Sequence, residues 1–124
     1  MKLTAGQVFD ATLTVSQIIR ENRPMPQKGK YRLARLHAKL LPEFNPISVQ
    51  RDEIIASYDH LNADGAQAVP EDKMPEFLVK WREIADQVID VDVEPIPFDQ
   101  IDNEAGSISA SELIVLGALV ADPG

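Results

Sequence analysis

The chain has 124 residues, a formal net charge of −8, 44% apolar residues, two histidines and no cysteine. That length suits one domain and suffices to bury a core without metals or disulfides. The missing cysteines exclude a disulfide framework, thiolate metal ligands and a cysteine nucleophile, as suits a reducing compartment. No run of about 18 apolar residues offers a membrane span, and residues 1–7 carry one lysine with no apolar stretch behind it, so no secretory signal is expected.

The net charge hides a division. Residues 1–60 hold nine Lys and Arg against six acids, for +3, whereas residues 61–124 hold three bases against fourteen acids, for −11. The long-range field is acidic, which opposes non-specific binding to duplex phosphates, so nucleic acid is an unlikely ligand on charge alone.

In chain order, Thr4 and Gln7 form a capping-box signal, and Val8, Ala11, Val15, Ile18 and Ile19 recur at helical spacing, predicting a first helix over residues 5–22. Pro24 and Pro26 make a rigid corner. From Lys28 to Leu41 the apolar stripe Leu33, Ala34, Leu36, Leu40 and Leu41 predicts a second helix that stops at Pro42. Asn45 and Pro46 read as a new N-cap and first position, predicting a third helix with Ile47, Ile54, Ile55, Tyr58 and Leu61 inward, running to about Asn62.

Asn62-Ala63-Asp64-Gly65 is turn chemistry. Met74, Phe77, Leu78, Trp81, Ile84, Ala85 and Val88 then follow the three-four repeat most closely, predicting the core's main helix. Residues 89–94 alternate strictly, with Ile89, Val91 and Val93 on one face and Asp90, Asp92 and Glu94 on the other. This is the one convincing strand. Its expected partner is the short 66–69 segment, or another chain. Ser109 with Glu112 caps a last, almost wholly apolar helix through Leu113, Ile114, Leu116 and Val120. The expected fold is mainly helical α+β over a single domain, 1–124, with four to five helices and one short acidic strand in a small two-stranded, hairpin-like pairing.

No catalytic constellation emerges. His37 and His60 fall on different predicted helices with no HExxH-like spacing, and the six glycines are scattered rather than clustered before a helix, so no nucleotide loop exists. His60, Asn62, Asp64, Gly65 and Glu71 imitate part of a calcium loop. However, position 1 is a histidine where a hard cation wants a carboxylate, and Pro70 spoils the exit. Neither metal nor cofactor is expected. Met74, Phe77 and Trp81 read as core.

Two charged stripes remain as candidate partner-binding residues. Lys28, Arg32, Arg35 and Lys39 fall at i, i+4, i+7 and i+11, on one helix face. No base-reading side chains interleave with them. Asp90, Asp92 and Glu94 belong to a run of eight acids without a base from Glu83 to Glu104, including Asp99 and Asp102. They read as a solvated face, or as an acidic surface that docks on a basic partner or mimics nucleic-acid phosphate.

The order of elements resembles a loosely defined family of small proteins of tailed bacteriophages and prophages. The residues that carry the resemblance span most of the chain. They are Ser16-Gln17-Ile18-Ile19, Lys30-Tyr31-Arg32-Leu33-Ala34, Asp64-Gly65, Lys73-Met74-Pro75-Glu76-Phe77, Val91-Asp92-Val93-Glu94-Pro95-Ile96-Pro97 and Ile108-Ser109-Ala110-Ser111-Glu112-Leu113. Pro42 and Pro46 depart from the longer uninterrupted helix expected of that family. The resemblance implies a phage gene product connected with particle assembly, located in the bacterial cytoplasm or the virion, and carries over no functional residues. The resulting expectation is a non-enzymatic protein-interaction module, either a minor virion component or an assembly factor. Its partner would be a phage structural protein, a host protein or a second copy. The alternative is an inhibitor of a host defence complex or polymerase acting through an acidic, nucleic-acid-mimicking surface.

Overall fold

The computed structural model describes residues 1–102 and 106–121. Among these residues four α-helices and four very short strands follow the order β1 (Lys2–Thr4), α1 (Ala5–Arg20), α2 (Gln27–Ala56), α3 (Met74–Ala85), β2 (Val88–Asp90), β3 (Ile96–Pro97), α4 (Ala110–Leu116) and β4 (Val120–Ala121). The fold is thus mainly helical α+β.

Helix α1 starts where the sequence says it should. The Thr4 side chain accepts from the Gln7 N–H at 3.1 Å, and the Gln7 side chain accepts from the Thr4 N–H at 2.8 Å, satisfying two donors that the first turn leaves orphaned. Its Val8, Ala11, Val15 and Ile18 are almost fully buried. Thr12 joins them because its hydroxyl donates to the Val8 carbonyl at 2.6 Å, so no polar group is left unpaired. Helix α1 packs most extensively on α2 and also touches α3 and α4. The centre of the core is therefore α1, and not α3, of which only Phe77 is fully buried. Periodicity ranks how amphipathic a helix is. It does not say how many neighbours surround it.

The second and third predicted helices are one. Helix α2 runs 30 residues straight through Pro42 and Pro46. Each proline forfeits one i→i−4 bond, at a cost of about 3 kcal/mol in a helix interior. Both prolines are exposed, four residues apart and so on one outer face, where water can serve the freed carbonyls. On the inner face one stripe runs the whole length: Leu33, Leu36, Leu40, Phe44, Ile47, Arg51, Ile54 and Tyr58 succeed one another in steps of three and four, apolar or aromatic except for Arg51, whose guanidinium lies over aromatic rings. Four of the first five of these are buried. Each fully buried Leu or Ile contributes about 1.5–3 kcal/mol, so the stripe outweighs the two lost bonds.

The predicted acidic strand is shorter and differently paired. Strand β2 pairs antiparallel with β1, with Lys2 opposite Asp90 and Thr4 opposite Val88, while the 66–69 segment makes only an isolated bridge, Gln67 to Leu61. The pairing is not a hairpin, because α1, α2 and α3 lie between its strands. Residues 91–95 continue without a ladder, through a tight turn in which the Val93 N–H donates to the Val91 carbonyl, and keep the alternation: Val91 and Val93 are buried, Asp92 and Glu94 exposed. A second pairing, parallel between β3 and β4, was not expected, and it takes Val120 out of the last helix. Helix α4 is capped by Ser109 and Glu112 as predicted. Leu116 is buried and Ile114 is 81% exposed, so its apolar surface is divided between core and solvent.

Candidate functional site

The two charged stripes, distant in sequence, face each other. Burial of Leu33, Leu36 and Leu40 against α1 fixes the rotation of α2 and turns Lys28, Arg32, Arg35 and Lys39 towards one flank. Burial of Val91, Val93 and Ile96 fixes the other wall and leaves Asp92 and Glu94 outward. Between the walls lies a groove of about 520 Å³, lined by the four cations, Tyr31, Leu36 and residues 92–96. Its direction follows from its ends. Lys39 meets Asp92, and Gly29 at the start of α2 lies against the Gln100 backbone, so the segment runs antiparallel to the helix.

The Lys39 Nζ donates to Asp92 Oδ2 at 3.0 Å, and this bond, with the charge of Lys39 and more weakly of Arg35, holds the Asp92 carboxyl below its usual range. Asp90 lies beyond the groove, with its carboxylate 3.3 Å from the Met1 ammonium. Glu94 is exposed in the groove wall, and among the described residues it makes no ion pair. The same holds for Lys28, Arg32 and Arg35. Tyr31, between Lys28 and Arg32, is 66% exposed. The structure thus brings together six of the seven candidate residues and leaves Asp90 at the margin. It also adds an aromatic side chain that reading the cations alone had missed. Glu104 of the acidic run lies outside the described residues.

Two further clusters escaped sequence reasoning. Arg23, in the proline corner, donates to the Ser107 carbonyl at 2.9 Å and to carboxylates of Glu21 and Glu112, while the Ser107 hydroxyl donates to the Pro24 carbonyl. The Arg23 hydrogen bond, with smaller help from Ser109, holds the Glu112 carboxyl down at about 2, and Glu112 in turn raises the Arg23 guanidinium. These residues border a shallow hollow of about 550 Å³. Its charges answer one another, so it acts as a tie between the α1–α2 corner and α4. The second cluster is aromatic. The Arg51 guanidinium lies 5.2 Å from the Phe9 ring centroid, 5.6 Å from Phe77 and 5.7 Å from Trp81, with Phe44 stacked on Phe9. Such cation–π contacts stabilise by about 0.5–2 kcal/mol each. Burial raises the neighbouring Asp10 carboxyl, and Arg51 opposes that rise. No spacing rule links residues 9, 51 and 77, so only tertiary structure reveals the cage.

The calcium-like segment is a closed turn. Asn62 Oδ1 accepts from the Asp64 N–H at 2.9 Å and from the Ala66 N–H at 3.1 Å, and Gly65 takes φ +81°. The oxygen that a cation would need is bonded to the loop's own backbone. Among the described residues no group of three or more His, Asp or Glu side chains is placed to hold a metal ion. Nor is any helix among them long and apolar enough to cross a membrane. No protein-family model, curated protein or solved structure matches the chain, so the phage resemblance rests on the sequence pattern alone.

Proposed function

We propose that the chain is a non-enzymatic protein-interaction module of phage or prophage origin, a minor virion component or assembly factor, and that the groove beside α2 is its docking site. The observation that carries this is the convergence of Lys28, Arg32 and Arg35, without ion-pair partners among the described residues, around exposed Tyr31. Arginine and tyrosine are enriched in the energetic centres of protein interfaces, where a planar donor fork and a rigid ring give contact at low entropic cost. The alternative, an inhibitor whose acidic surface imitates nucleic acid, has less support. Asp92 is bound to Lys39 and Asp90 to the N-terminal ammonium, so Glu94 alone of the three presents an unneutralised charge.

The test is affinity capture with co-encoded morphogenesis proteins, comparing the unaltered chain with R32E/R35E. The expected result is a defined partner retained by the first and lost by the second. Capture that survives both reversals would remove the groove from the function.

A further inference from the structure

We propose that the occupant of the groove is a second copy of this chain, related to the first by a two-fold axis. This rests on the reading of the groove as a protein-docking site and names the partner.

The walls carry opposite signs. Lys28, Arg32, Arg35 and Lys39 line the helical wall, and Asp90, Asp92, Glu94 and Asp99, all exposed, run along and just beyond the other. A partner of a single sign, whether an acidic peptide or a polyanion, satisfies one wall and faces like charge on the other. A copy turned by a two-fold axis sets its acidic wall against the basic one and its basic wall against the acidic one. Lys28, Arg32 and Arg35, without ion pairs among the described residues, then meet Glu94 and Asp99 of the other copy on each side, while Lys39–Asp92 and Met1–Asp90 stay paired within each copy. The basic stripe from Lys28 to Lys39 rises eleven helical steps, about 16 Å, enough for two or three such pairs.

Two further features point the same way. In residues 91–95 the Val91 N–H donates to the Met1 carbonyl at 2.8 Å and the Val93 N–H to the Val91 carbonyl at 2.9 Å. The second of these closes a tight turn about Asp92, and among the described residues the N–H groups of Asp92 and Glu94 have no acceptor, so two backbone donors are left for a partner. Tyr31 and Pro95 stand exposed at the rim, the kind of rigid apolar surface that an interface core uses. Each copy carries −8, so net repulsion opposes the local attraction. Salt screens both, and for that reason salt dependence does not decide the matter whereas exchange of charge does.

The experiment is sedimentation equilibrium on the full chain from about 10 to about 500 µM, because a dimer's population follows protomer concentration. Three samples are compared: the unaltered chain, R32E/R35E and D92R/E94R, each checked for unchanged circular dichroism. The unaltered chain should reach a dimer within this range. Each reversal alone should weaken association at least tenfold, and an equimolar mixture of the two variants should restore a dimer containing one of each. A monomer throughout, a dimer indifferent to the reversals, or a mixture that stays monomeric overturns the proposal. If the chain is monomeric while R32E/R35E still loses a captured co-encoded protein, the second copy is ruled out and the docking site stands. If association and capture both ignore the groove, both readings fall.

Discussion

Replacing Glu112 by glutamine separates its two tasks. Its carboxylate accepts from the Ser109 N–H at 2.9 Å, completing the capping box of α4, and it receives a hydrogen bond from Arg23. Glutamine can perform the first task but brings no charge to the second. The carboxyl stands at about 2 against an ordinary value of 4.5, and at 1.36 kcal/mol per unit that difference sets an upper bound of about 3 kcal/mol. Both side chains keep some contact with water, 16% exposed for Glu112 and 18% for Arg23, so screening reduces the expected cost of E112Q to about 1–2 kcal/mol. The sign follows from the depressed folded value. The contribution is fully present above about pH 4.5 and disappears as pH falls through 2. Urea unfolding followed by circular dichroism at about pH 7 and again near pH 2.5 gives the difference between the two proteins, in which the other carboxylates largely cancel. The gap should be clear at neutral pH and mostly closed in acid. Equal stability at neutral pH, or a gap of the same size at both, would refute this account of the tie.

Gly29 and the two helix prolines give further tests. A Cβ at residue 29 would sit 1.6 Å from the Gln100 carbonyl oxygen and 2.6 Å from its carbon, so G29A must push two backbones apart. A loss of about 3 kcal/mol in urea unfolding is expected, and a loss below about 1 kcal/mol would mean the approach is not that close. P42A and P46A each restore an i→i−4 donor on the exposed face of α2 and should raise stability by about 1–3 kcal/mol, measured in the same way. Destabilisation by either would mean that the helix is broken there after all.

What could be read before folding was local. Both capping boxes, the Asn62 turn, the inward set of α1 except Ile19, which is exposed, and the alternation of Val91 and Val93 with Asp92 and Glu94 came from residues within a turn or two of each other. Failures came where distant residues decide. An N-cap and the two residues before it read only as the start of a helix, so Lys2, Leu3 and Thr4 went unrecognised as the partner of β2. Pro42 and Pro46 signal a break, and only the buried stripe along α2 outvotes them. In the site, the cations and the acids were each visible, but their meeting depends on residues 92–96 running back along α2. The pairing of Arg23 with Glu112, 89 positions apart, left no trace in either neighbourhood.

The pairing of β1 with β2 also has a temporal side. Lys2, Leu3 and Thr4 are made early, yet the strand they join is complete only when Asp90 has been added. At about 5–20 residues per second a ribosome takes roughly 4–17 s to bridge that interval. Early in that time α1 has its cap but no neighbour; α2 can cover part of its valine and isoleucine face once Ala56 is made, and α3 and β2 follow only towards the end. Closing such a long loop is slow, because the entropy is lost before the contacts compensate. The nascent chain therefore passes through an interval in which its central helix is only partly covered and is open to chaperones and to neighbouring copies.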